Sequence, residues 1–150
     1  MIKITTCGSC VDSGKPTQRG GCAAHLWAKD SLGRVSTRKL THAAGNSTQP
    51  QANLKAALLG LMSINAAMRV QDTELCVIPY VEQQLQQQDG KYKTTPKKNV
   101  ELVDRLRSAV ALFPRLRILV ADKSTLRQIL EDARQCAEKQ NETDTGTIRP

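Results

Sequence analysis

The apolar pattern of this chain changes period at Ala52, and that change limits the available folds more than any other feature. Before it, Ile2 to Thr6 is rich in β-branched side chains and reads as a first strand. "CAAHLWAKD" and "RVSTRKLTH" follow, joined by the turn "DSLG", and read as the two strands of an antiparallel hairpin. The stretch "VDSGKPTQR" holds the turn formers Asp12, Ser13, Gly14 and Pro16, and the pair Gly20-Gly21 opens the next strand. After Ala52 the spacing is helical. Leu54, Leu58 and Leu61 fall on one stripe, with Ala56, Ala57 and Gly60 small enough for close packing.

Strands and helices then alternate. "TELCVIP" reads as a buried strand ended by Pro79, "YVEQQLQQQ" as a short polar helix, and "DGKYKTTPKKN" as a loop. Asn99 is placed to cap a helix that carries Leu102, Leu106, Val110 and Phe113 as far as Pro114. "LRILVA" is a fifth strand, and Ser124 starts a last helix with Leu126, Ile129, Leu130 and Ala133 inward. The order βββ-α-β-α-α-β-α predicts an α/β fold, a mixed five-stranded sheet with helices on its faces. One domain is expected over residues 1–138, followed by a polar, disordered tail over 139–150.

No stretch approaches the ~18 apolar residues of a membrane span, and Met1-Ile2-Lys3-Ile4 lacks the apolar block of a signal peptide, so a cytoplasmic protein without a membrane partner is expected. The five cysteines, Cys7, Cys10, Cys22, Cys76 and Cys136, are odd in number and irregular in spacing, as suits reduced thiols. A net charge of +8 favours a polyanionic partner, although the same charge also serves solubility alone.

Cys7-Gly8-Ser9-Cys10 invites two chemical readings. Zinc could be held by Cys7, Cys10, Cys22 and His25, but residues three apart in a strand point to opposite faces, which separates Cys22 from His25. A redox pair needs a helix N-terminus to lower a thiol pKa, and "VDSGKP" reads as a loop. Cys7 is therefore read as a small apolar residue at a partly buried strand end, and no metal or other cofactor is expected.

Taken together, these segments resemble ribonuclease H of the type 1, retroviral-like kind, from Ile2 to about Ala137. "TCGSC" stands where that family shows Thr-Asp-Gly-Ser-Cys, Gly20-Gly21 matches its glycines, and "TQPQANLKAALLGL" resembles its first helix. The most specific match is "DGKYKTTPKKNVELVDRL", which resembles the family's basic handle and the helix after it. The resemblance implies an enzyme that cuts the RNA strand of an RNA/DNA hybrid with two divalent ions held by four carboxylates. It also places those carboxylates at Cys7, Asn53, Val77 (or Ile78, if one residue is gapped) and Leu130, none of which is an acid. The expectation is a catalytically degenerate protein, not an enzyme, with relocated acids at Asp12, Glu74, Asp122 or Glu131 the lesser alternative.

Binding can outlive cutting, because the family grips nucleic acid largely through its backbone. The residues this implies are Lys91, Lys93, Lys97 and Lys98, with Tyr92 between them as a stacking ring, and Gln49 and Gln51 at the start of the first helix. The expected partners are nucleic acid (RNA/DNA hybrid, DNA or RNA) or, in a second reading, a protein or a second copy of the chain. That second reading looks to the altered site and to "YVEQQLQQQ" for its surface, with exposed aliphatic side chains as its sign.

Overall fold

The computed structural model describes residues 1–149. Three long strands come first, β1 (Ile2–Val11), β2 (Arg19–Lys29) and β3 (Val35–Gly45), paired antiparallel in sequence order. Helix α1 (Gln49–Met62) crosses over to β4 (Thr73–Val77), which pairs parallel to β1 on its other side. Next come α2 (Pro79–Leu85) and a small hairpin, β5 (Gln87–Gln88) with β6 (Lys91–Tyr92). After α3 (Val100–Val110), β7 (Leu116–Val120) joins β4 in parallel. The chain continues through α4 (Lys123–Lys139) to β8 (Thr143–Gly146). The sheet order is β7-β4-β1-β2-β3-β8.

The sheet is mixed, as expected, but it has six strands instead of five. The sixth lies in the tail read as disordered: β8 pairs antiparallel with β3 along the sheet edge. Polar groups hold it there. Arg38 donates from Nε and Nη2 to the two Asp144 carboxylate oxygens, both at 2.9 Å, the Thr41 and Thr143 hydroxyls meet at 2.8 Å, and Ile148 anchors the end of the chain at 8% exposure.

Helices cover the two faces unequally. α1 and α3 lie over the main core, where Ile2, Ile4, Leu26, Leu54, Leu61, Leu75 and Leu106 are buried. α4 crosses the other face over a smaller cluster of Cys7, Ala23, Ile129 and Ala133. Two glycines set how closely the helices sit: a Cβ at Gly8 would overlap the Ala52 carbonyl on α1, and one at Gly21 would overlap the Ala133 carbonyl on α4. Adjacent strands thus press directly on helices of opposite faces.

Local chemistry corrects several expected boundaries. Pro79 begins α2 in its first turn, where its missing N–H costs nothing. The cap of α4 is Asp122, not Ser124: its carboxylate accepts from the Thr125 N–H and the Ser124 hydroxyl, each at 2.8 Å. Asn99 precedes α3 in a left-handed conformation (φ 55°) and makes no side-chain cap. Within "DGKYKTTPKKN", Asp89 and Gly90 both have positive φ, which suits the tight turn between β5 and β6. Leu130, expected inward, is 45% exposed.

Candidate nucleic-acid interface and the implied carboxylate positions

Strand alternation points Cys7 at α4, where it is 4% exposed and packs with Ala23, Ile129 and Ala133, with Ile78 and Leu126 against the same cluster. Burial pushes its thiol up to about 11, so near neutral pH it is an uncharged, small apolar group. Asn53, on α1, is 4% exposed, and its Oδ1 accepts the Gly8 N–H at 2.9 Å. Val77 is fully buried in the main core, and Ile78, the next residue, is the side chain that reaches the Cys7 cluster. On α4 the residues facing Cys7 are Leu126, Ile129 and Ala133, whereas Leu130 turns outward.

Two divalent cations of the kind the fold implies would meet a neutral thiol, a carboxamide and aliphatic side chains here. Hard magnesium takes oxygen ligands, chiefly carboxylates, and this donor set does not fit it. The four alternative acids are committed elsewhere. Asp12 pairs with Arg19 at 2.8 Å, Glu74 with Arg117 at 3.3 Å and Glu131 with Arg134 at 2.6 Å, while Asp122 caps α4. Among the described residues no group of three or more His, Cys, Asp or Glu side chains could hold a metal ion. Cys22 and His25 diverge: Cys22 Sγ lies 3.4 Å from the Ala52 carbonyl oxygen on the α1 side, and His25 Nε2 lies 2.7 Å from Asp132 on α4.

The loop that carries Lys91, Lys93, Lys97 and Lys98 is held by a residue that its sequence neighbourhood does not reveal. Arg107, on α3, stacks its guanidinium 4.0 Å from the centre of the Tyr92 ring. It also donates to the Gln84 carbonyl and the Thr94 carbonyl, each at 3.0 Å, so one side chain ties the loop to α2 and α3. One face of Tyr92 is therefore covered, which gives the ring a role in holding the loop. Lys91, Lys93, Lys97 and Lys98 are exposed around it, and among the described residues none of them is in an ion pair.

Gln49 and Gln51 sit on α1 just before Asn53 and are engaged within the fold. Gln49 accepts from the Cys10 N–H at 3.0 Å and donates to the Gly8 carbonyl at 2.8 Å, fastening the end of β1 to α1. Gln51 completes a capping box with Thr48 and donates to Asn99 Oδ1 at 3.3 Å, while Asn99 Nδ2 donates to the Tyr80 hydroxyl at 3.4 Å. Through Asn99 this network joins the starts of α1, α2 and α3.

No family model matches the chain, and no curated protein matches it in sequence. Its likeness to known proteins is one of structure. LC9-RNase H1, a type 1 RNase H with the type 2 active-site motif, is similar over 97% of this chain and 77% of its own, with a TM-score of 0.72 at 11% identity. RNase H1 from the halophilic archaeon Halobacterium salinarum NRC-1 is similar over 93% of this chain and 98% of its own, with a TM-score of 0.65 at 19% identity. A foamy viral protease-reverse transcriptase in complex with RNA/DNA hybrid is similar over 92% of this chain, which spans 19% of that longer one, with a TM-score of 0.62 at 14% identity. These likenesses each run over more than nine-tenths of the chain: its fold is that of the type 1 ribonucleases H.

Proposed function

We propose that this chain is a ribonuclease H-like pseudoenzyme that binds nucleic acid through its handle and does not cut it. The observation that carries the reading is the apolar packing of Cys7 against Ile78, Leu126 and Ile129. Removing acids from that end of the sheet also removes charge that would repel phosphate in the absence of metal. Lys91, Lys93, Lys97 and Lys98 supply the attraction, and the RNA/DNA hybrid bound by the foamy viral relative is the first nucleic acid to try. Free thiols at all five cysteines suit a reducing cytoplasm, and among the described residues no helix is long and apolar enough to cross a membrane.

The test is a titration of RNA/DNA hybrid, double-stranded DNA and single-stranded RNA at two salt concentrations. Each phosphate contact adds about −0.9 to the slope of log K against log salt on duplex DNA, so Lys97→Ala with Lys98→Ala should flatten the slope by about 2. Equal affinity of wild type and double variant at low salt would remove the handle from the interface. No binding to any of the three would favour the second reading, a protein-interaction scaffold. One observation supports that second reading, a groove of exposed aliphatic side chains between α1 and α3. The helix that the sequence suggested for such a surface does not offer one, because the apolar side of α2, Val81 and Leu85, is buried in the core.

A further inference from the structure

One face of the sheet is covered by α4 only in part. Cys7 and Ala23 are buried beneath that helix, but the next two rows of side chains, towards the turn between β2 and β3, are not. Residues opposite one another on paired strands share a face. In register across five strands, one row reads Arg117, Glu74, Lys3, Trp27 and Thr37. The row between it and α4 runs from Leu119 on β7 through His25 to Lys39 and Thr145. No residue of either row is buried, and Trp27, the chain's one tryptophan, is half-buried among them.

Cations outnumber acids on this face. Lys3 and Arg117 share a single carboxylate, Glu74, at 4.0 and 3.3 Å, and Asp132 at the edge of α4 is taken by His25 at 2.7 Å. Lys39 lines a polar pocket of about 270 Å³ together with Lys139, where α4 passes β3 and β8. Among the described residues neither lysine is in an ion pair.

We infer that this open face is a second nucleic-acid site, one that takes a single strand. A base stacks on Trp27, and the phosphates on either side of it meet Lys3 and Lys39, with Arg117 further along the strand. Lys3 stands directly opposite Trp27, and Lys39 is its diagonal neighbour on the other side, about 7–8 Å away. From β7 to β3 the face spans four strand spacings, about 19 Å, room for a few nucleotides. The Lys3 ammonium lies 5.3 Å from the centre of the Trp27 ring, and at 52% exposure it is free to leave the ring for a phosphate when a base arrives. Unpaired strands are selected over duplex because bases in a duplex are stacked on one another, out of reach of a ring set in a sheet. The inference is independent of the handle, which Arg107 ties to α3 on the opposite face.

The lone tryptophan makes its own test. Titration with a short oligothymidylate at low salt should quench Trp27 fluorescence to saturation, in wild type and equally in the Lys97→Ala, Lys98→Ala variant. At about −0.7 per phosphate contact on single strands, Lys39→Ala with Arg117→Ala should flatten the salt slope by about 1.4. Both positions are exposed, so the variant should fold, which a thermal melt checks. Trp27→Ala, followed by anisotropy of a labelled oligothymidylate, should lose about tenfold in affinity. Inorganic polyphosphate, which has the charge and no bases, should leave the fluorescence unchanged. Failure to bind oligothymidylate at low salt overturns the inference, as does binding without quenching, quenching by polyphosphate, or a salt slope indifferent to Lys39 and Arg117. None of these outcomes touches the handle, since the Lys39→Ala, Arg117→Ala variant should still bind hybrid with a slope that responds to Lys97 and Lys98.

Discussion

Cys7→Asp restores the acid that the resemblance expects on β1, and the structure predicts that it harms the protein. The new carboxylate would sit 4% exposed among Ala23, Ile129 and Ala133, with Ile78 and Leu126 at the edge and no cation beside it. An Asp that titrates near 3.9 in the unfolded chain would be raised by about 2–3 units in such a site, and at about 1.4 kcal/mol per unit the loss is about 3–4 kcal/mol at pH 7. For a domain of this size that lowers Tm by about 6–16 °C. The sign follows from linkage. Both states are protonated below the unfolded pKa, so the penalty is absent there; it grows as pH rises towards the folded pKa and is constant above it. Urea unfolding of Cys7→Asp and the neutral isostere Cys7→Asn, at pH 4 and pH 7, reads this directly. The Asp variant should incur most of that ~3–4 kcal/mol loss between the two pH values, and the Asn variant should show no such change. A Cys7→Asp protein as stable as wild type at pH 7, or one that gains stability on addition of magnesium, would refute the apolar account of the site.

Arg107→Ala should loosen the handle, with faster amide exchange over residues 86–98 and a stability loss of about 1–2 kcal/mol, and Arg107→Lys should not restore it, because an ammonium cannot stack on Tyr92 and reach two carbonyls together. Burial raises the Cys7 and Cys22 thiols to about 11 and about 12, so a thiol reagent at pH 8 should label partly exposed Cys10 first and reach these two only on unfolding; prompt native labelling of Cys7 would contradict its burial. Hydrogen bonds from the Thr125 N–H and the Ser124 hydroxyl hold the Asp122 carboxyl below its usual 3.8, so its contribution is present above that value and is lost as pH falls through the lower folded pKa. Asp122→Ala should accordingly flatten the acid limb of the stability curve, and an unchanged limb would show that the cap carries no such linkage.

How far the sequence reveals this protein depends on the range of the interaction. Element order, the antiparallel hairpin and the main core follow from period and turn chemistry within short windows. β8 was hidden because all four of its residues are exposed and polar, so its place comes from pairing with β3 and from Arg38, more than a hundred residues earlier in the chain. Which apolar side chains pack on Cys7 was not legible in the sequence. Ile129 and Leu130 are adjacent and both apolar, as are Val77 and Ile78, and only packing decides which of each pair reaches Cys7. Arg107 was visible as a charged helix residue, but Tyr92 and the Gln84 and Thr94 carbonyls meet it only in three dimensions. Asn99 reads as a cap by residue type, yet its left-handed backbone frees its carboxamide to join Gln51 to Tyr80.

The central claim is that this fold holds nucleic acid without cutting it, and one measurement bears on it most directly. End-labelled RNA/DNA hybrid is incubated with the protein in magnesium, at a salt concentration where binding is saturated, with EDTA in a parallel tube. The hybrid should be recovered bound and full-length in both. RNA cleavage that proceeds in magnesium and stops with EDTA would contradict the account.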